Sequence, residues 1–239
     1  MADDTRLPSE TRSSDADIQA FLNRVAATTI PRAAGGRRGR LMFGMDATAS
    51  RQPTWDRAMQ IQGEMFEATS ALGGLDVQLV YYRGFRECKA SPWLSSGPEL
   101  LRRMSSVFCL GGQTQISRLL GHCIKQTRAT KVDALVFVGD CMEEDVDELC
   151  HKAGELGLLG VPAFVFHEGG EPVARRAFEQ IARLSGGAYC PFDASSAQQL
   201  KDLLSAVAVY AAGGRPALES YSRGRSDQVL RLTSQIGRR

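Results

Sequence analysis

Asp46, Thr48 and Ser50 set a carboxylate and two hydroxyls at alternate positions, directly after the apolar run Leu41-Met42-Phe43-Gly44-Met45. Side chains two apart share one face of a strand. Where such a strand ends and the chain curls toward a helix, the three oxygens can converge on one point above the sheet edge. Hard oxygen ligands of this kind suit Mg²⁺ or Mn²⁺ better than zinc, which prefers His and Cys. One acid is too little charge to hold a divalent ion, so further oxygens are required. Two later segments can supply them: Gly111-Gly112-Gln113-Thr114, a glycine turn opening a helix, and Val136-Phe137-Val138-Gly139-Asp140, an apolar strand ending in an acid.

These residues need a scaffold of strands and helices to meet. Short runs rich in Val, Leu, Phe and Tyr predict strands over 40–45, 76–82, 133–139, 161–167 and 188–192. Helical spacing is expected at about 54–72, 99–108, 115–128, 143–157, 172–185 and 195–211. Strands alternating with helices imply an α/β fold: a Rossmann-like three-layer sandwich, mostly parallel, with helices on both faces. After Tyr82 the connection Arg83-Gly84-Phe85-Arg86 is too short for a parallel crossover. Residues 87–91 are therefore expected as an antiparallel edge strand, its charged Glu87 and Lys89 suiting an edge.

The flanks differ from this core. Residues 1–39 read as a polar, disordered start, a short amphipathic helix carrying Ile18, Phe21, Leu22 and Val25, and an Arg/Gly linker. Gly213-Gly214-Arg215-Pro216 breaks the last long helix, and residues 212–239 form a basic tail. Within it Val229, Leu232 and Ile236 share one helical face. That face suits either a helix lying back on the domain or a tail that docks a partner or a polyanion. The 239 residues are 43% hydrophobic and 23% charged, ordinary for a protein with a full core, and the net charge of +2 gives no bulk argument for nucleic acid or membrane. No apolar run approaches the roughly 18 residues of a membrane span. Six cysteines stand singly, with no Cys-x-x-Cys, which reads as cytoplasmic thiol usage.

The three oxygen-bearing segments, in this order on this fold, resemble the metal-ion-dependent adhesion site (MIDAS) of the von Willebrand factor A (VWA) domain. The resemblance covers residues 40 to about 211. That family carries Asp-x-Ser-x-Ser after its first strand, a threonine in a later loop and an aspartate after its fourth strand. Position by position, Asp46, Thr48 and Ser50 match the first element, Thr114 the loop threonine and Asp140 the last aspartate. Thr48 stands where serine is usual, and Cys141 follows Asp140 where glycine is frequent. The resemblance implies a Mg²⁺ or Mn²⁺ ion held by hydroxyls and water-bridged aspartates, with an open position for the Asp or Glu of a partner protein. It implies an adaptor or assembly factor rather than an enzyme, in a bacterial-type stand-alone protein whose partner is an ATPase or chaperone-like machine.

Other readings use the same residues. Thr48 and Ser50 are acceptable helix N-caps, and Asp46 could pair with Arg51 or Arg57. Asp-x-Thr-x-Ser also approximates the first motif of haloacid-dehalogenase-like phosphatases, with Asp46 as nucleophile and Gly139-Asp140 followed by Glu143, Glu144 and Asp145 as an acidic Mg²⁺ motif. Lys131 and Thr114 would then have to hold the phosphoryl group, and Lys131 precedes its strand at the wrong end. Pro53 opens a helix where that family places a flap. A scaffold without metal is the remaining alternative. His122-Cys123 and Cys150-His151 are adjacent on helices and diverge too far to chelate one zinc. Cys141 reads as a small buried thiol, and Asp145, Asp147 and Glu148 as a solvated helix start.

Overall fold

The computed structural model describes residues 38–69, 72–192 and 197–236. The expected N-terminal helix and most of the Arg/Gly linker lie outside the described residues. Strands β1 (Gly39–Asp46), β2 (Leu75–Arg83), β3 (Glu87–Ala90), β4 (Ala134–Gly139), β5 (Ala163–Glu168) and β6 (Ala188–Phe192) form one sheet in the order β3-β2-β1-β4-β5-β6. Every pairing is parallel except β2 with β3. The antiparallel edge hairpin expected from the short Arg83–Arg86 connection is present, turning at Gly84, whose φ is 57°.

Helices α1 (Gln52–Ile61), α2 (Gly63–Thr69), α3 (Gly97–Met104), α4 (Ile116–Ala129), α5 (Val146–Leu158), α6 (Pro172–Ser185), α7 (Ala197–Ser222) and α8 (Asp227–Gln235) cover the sheet. Alternation along the buried strands feeds two separate cores. Leu41, Phe43, Met45, Val136 and Val138 face one way, onto Trp55, Ala58, Met65, Leu204 and Val207. Met42, Leu135, Phe137 and Val165 face the other, onto Leu119, Leu120, Leu149 and Phe178. Each such side chain contributes about 1.5–3 kcal/mol on burial. Gly44 lies under Leu119, where an added Cβ would come within 2.5 Å of that side chain, so the glycine lets α4 settle close to β1.

Three elements differ from expectation in detail. The helix expected over 54–72 is two helices, interrupted at Gln62 just before Gly63, a weak helix former. The helix expected from 143 starts at Val146, because Asp145 accepts the Glu148 N–H at 2.9 Å and caps it. The break expected at Gly213–Pro216 is present, since Gly214 at φ 68° and ψ −166° is non-helical and divides α7 into two helical stretches, but the second begins at once. The chain resumes helical structure beyond it, and Val229, Leu232 and Ile236 join the core that contains Leu41 and Phe43. Among the described residues no helix is long and apolar enough to cross a membrane.

β1 leads to β2 on one side, and β4 pairs on its other side, so the chain switches direction between β1 and β4. In open α/β sheets the crevice beyond the strand ends at such a point is where ligands bind. Asp46 closes β1, and Asp140 follows β4 directly.

Candidate metal centre

Asp46 is 1% exposed, because β1 is buried along nearly its whole length and carries its last residue into the interior. Its Oδ1 accepts the Thr48 N–H at 2.7 Å. Its Oδ2 has no hydrogen-bond partner. Burial pushes the carboxyl from its ordinary 3.8 up to about 6; the Thr48 N–H opposes this, Asp140 adds to it, and Arg51 opposes it. Neither Arg51 nor Arg57 forms an ion pair with Asp46 among the described residues.

Thr48 and Ser50 are not spent as helix caps: Thr48 precedes the 3₁₀ turn Ala49–Arg51 and Arg51 precedes α1, neither with a capping side chain. Their hydroxyls lie 3.5 Å apart. The Ser50 hydroxyl donates to Asp140 Oδ2 at 3.1 Å, bringing the ends of β1 and β4 together. Asp140 Oδ1, like Asp46 Oδ2, is buried without a partner.

Thr114 is reached by a longer route. Gly112 packs so tightly on the hairpin turn that an added Cβ would fall 2.1 Å from the Gly84 carbonyl oxygen. Gln115 donates to the Arg83 and Gly84 carbonyls at 3.2 Å each, fixing the loop before α4. Thr114 Oγ1 accepts the Glu143 N–H at 3.1 Å, and the Glu143 carboxylate accepts the Thr114 N–H at 3.2 Å. The loops of Thr114 and Asp140 are therefore clasped to each other. Glu144 accepts the N–H groups of Ile116 and Ser117 at 2.5 and 2.9 Å, placing negative charge at the start of α4. Glu143 and Glu144 are thus occupied in joining loops.

Four further residues belong to this neighbourhood. Cys141 offers its sulfur where the ligand atoms of Asp46, Asp140 and Cys141 all lie within 4.8 Å of one another, the one such group of three among the described residues. It is half-buried and belongs to neither apolar core, so the small-buried-thiol reading is corrected: its neighbours are carboxylates. Burial and the charges of Asp140 and Asp46 push its thiol up to about 12. Arg51 is 2% exposed and pairs with Glu168, while one nitrogen lies 3.6 Å from Asp140 Oδ2. Glu168, which ends β5, also accepts the Thr54 hydroxyl. Tyr82 lies opposite Asp46 in the β1–β2 register, and its buried hydroxyl faces the Asp46 carboxylate. Arg51 and Cys141 carried a signal, each being next in sequence to a proposed ligand. Glu168 is a second acid at a strand end, and Tyr82 becomes visible only once the register is known.

The remaining sequence candidates are elsewhere. Lys131 donates to the Leu159 and Gly160 carbonyls at 2.7 Å each, at the opposite end of β4 from Asp140. His122 sits 3.0 Å from the Gln78 side-chain oxygen, and Cys123 is fully buried. Gln113 meets Gly84 through its backbone N–H.

No protein-family model matches the chain, and no curated protein matches it in sequence. Solved structures do match. The VWA domain of SpRpn10 superposes with a TM-score of 0.55 at 13% identity, over 70% of this chain and 94% of that one. Proximal thread matrix protein 1 (PTMP1) from the mussel byssus, with a zinc-occupied MIDAS motif, gives 0.53 at 13% identity, over 72% of this chain and 46% of that one. The PilB minor pilin from Streptococcus sanguinis gives 0.56 at 10% identity, over 80% and 64%. In strand order, edge hairpin and covering helices, the fold of this chain is that of a VWA domain.

Proposed function

We propose that this chain is a divalent-cation-dependent protein-binding module. One ion would be held by Asp46, Thr48, Ser50, Thr114 and Asp140, and would take a carboxylate from a partner protein into its open coordination position. The observation that carries the reading is the pair of buried, unpartnered carboxylate oxygens, Asp46 Oδ2 and Asp140 Oδ1, on adjacent strand ends. A buried acid left unpaired costs stability, and a cation between the two would satisfy both. Arg51 does so only in part: it pairs with Glu168, lies 3.6 Å from Asp140 Oδ2 and makes no ion pair with Asp46. The donor set fits a small divalent ion, with two carboxylates and three neutral hydroxyls. PTMP1, which shares this fold, carries zinc in its MIDAS motif.

A protein partner suits the surroundings. Phe85, Phe108 and Leu110 are 72%, 63% and 46% exposed. All three lie on the hairpin and the loop that border the site: Leu110 N–H donates to the Ala47 carbonyl, and Arg83 lies 4.4 Å from the centre of the Phe108 ring. Exposed apolar side chains around a charged centre are the composition of an interface hot spot. The partner would present Asp or Glu flanked by apolar residues. An ATPase or chaperone-like machine in the cytoplasm is the class we favour, with no covalent chemistry at the site and no membrane or nucleic acid required.

The test is calorimetric titration of the chelator-stripped chain with Mg²⁺, Mn²⁺ and Zn²⁺, for wild type, Asp46→Ala and Asp140→Ala. Partner capture is then compared with and without chelator. Saturable binding lost in both variants supports the reading. Partner capture indifferent to chelator and to both substitutions would replace it with a scaffold that needs no metal.

A further inference from the structure

We infer that Cys141 is itself a ligand of the bound cation and that its sulfur gives the site a preference for zinc over magnesium. The inference rests on the cation-binding reading above and deepens it. An oxygen-only set of carboxylates and hydroxyls suits hard ions such as Mg²⁺, whereas a thiolate in the set favours softer ones, zinc foremost among the common divalent ions.

Three observations converge on the sulfur. Its position is within 4.8 Å of ligand atoms of both Asp46 and Asp140, a spacing that small side-chain rotations close around an ion. Each of those two carboxylates has a buried oxygen with no hydrogen-bond partner, and Arg51, 3.6 Å from Asp140 Oδ2, makes no ion pair with Asp46. And Cys141 belongs to neither apolar core and is only partly buried. Without a metal the Cys141 thiol lies beside the Asp140 carboxylate and interacts with it. With a cation between them, sulfur and carboxylates become one shell. On coordination the Cys141 S–H bond breaks, the sulfur lone pair forms the bond to the ion, and the proton leaves to solvent.

Two carboxylates, one thiolate and an open position make a three-ligand site of the kind zinc occupies while retaining an exchangeable partner. The hydroxyls of Thr48, Ser50 and Thr114 would then act chiefly by hydrogen-bonding the carboxylates and bound water, as Ser50 does toward Asp140.

Cobalt(II) is the probe, because a sulfur-to-cobalt charge-transfer band in the near ultraviolet reports thiolate ligation directly. The full chain, stripped of metal and kept reduced, is titrated with Co²⁺ and followed by absorbance and calorimetry. Wild type is expected to show the band at one equivalent, to lose it on adding stoichiometric Zn²⁺, and to keep it in a large excess of Mg²⁺. Cys141→Ser and Cys141→Ala are expected to lose the band and bind zinc at least tenfold more weakly, with unchanged circular dichroism. Asp46→Ala must also lose the band. A band that survives in Cys141→Ser belongs to another cysteine and overturns the inference. Cobalt binding that depends on Asp46 but shows no band in wild type also overturns it, while leaving the cation-binding reading intact. No heat and no band with any ion in wild type overturns both.

Discussion

The two ends of the sheet treat their charges in opposite ways. At the end where β1 begins, Asp76 pairs with Arg38 at 2.6 Å and accepts the Ser95 hydroxyl at 2.9 Å. Asp133 there accepts the Arg40 N–H at 2.8 Å, while the Arg40 guanidinium lies 3.9 Å from the centre of the Trp93 ring. At the end where β1 stops, Asp46 and Asp140 lie at adjacent strand ends and each leaves one buried oxygen unpartnered. The two acids at the first end, Asp76 and Asp133, each have a partner. The unpartnered oxygens of Asp46 and Asp140 lie where the topology opens a crevice, and we read that contrast as stability given up for binding.

The comparison breaks most readily at its unsatisfied end. Asp46→Ala or Asp140→Ala is expected to weaken cation binding by more than the roughly 10–100-fold that loss of an outer-shell partner costs, read by calorimetry. Thermal unfolding should change little or improve in chelator. A large fall in melting temperature for both variants would instead make the two acids structural.

Arg51→Met is expected to be the most destabilising change nearby. It would strand Glu168, whose side chain is 17% exposed, without its cation, a loss of about 3–5 kcal/mol by denaturant unfolding. An effect below 1 kcal/mol would show that Glu168 finds another partner.

Asp46→Asn sharpens the electrostatic half of the contrast. A carboxyl raised from 3.8 to about 6 is held more tightly as the acid in the folded chain, so its ionised form opposes folding by about 3 kcal/mol. The penalty is absent below about pH 4, where the group is protonated folded or unfolded. It grows between pH 4 and 6 and is constant above. In chelator, wild type should therefore lose stability relative to Asp46→Asn across that window, as followed by urea unfolding at several pH values. Parallel curves for the two proteins would contradict the burial cost.

The smallest effect belongs to the satisfied end. Asp76→Ala should cost about 1 kcal/mol through its ion pair with Arg38, which is 40% exposed, and leave cation affinity unchanged. A change in metal binding there would mean that the two ends are coupled.

Much of the scaffold was legible in advance because burial on both faces imposes continuous apolar runs. β1, β4 and β5 read as strands for that reason, and the four-residue connection after Arg83 could only be a hairpin. Helix interruptions were harder to place. The break at Gln62 depends on how α1 and α2 each meet the core, and beyond the non-helical Gly214 the chain becomes helical again sooner than the sequence pattern suggested.

The sequence alone determined the strand-ending acids, the alternating hydroxyls of Thr48 and Ser50 and the order of the three segments, because local periodicity and chain order are one-dimensional properties. Only the tertiary structure decided that Asp46 and Asp140 would each be left with an unpaired oxygen, that Thr114 would be clasped to Glu143, and that Cys141 would face the acids rather than the core. Those outcomes depend on the register between β1 and β4, on two loops meeting at Gly84 and Gly112, and on which charges Arg51 reaches. They are distances across the fold between residues dozens of positions apart, set by packing and burial rather than by any local pattern.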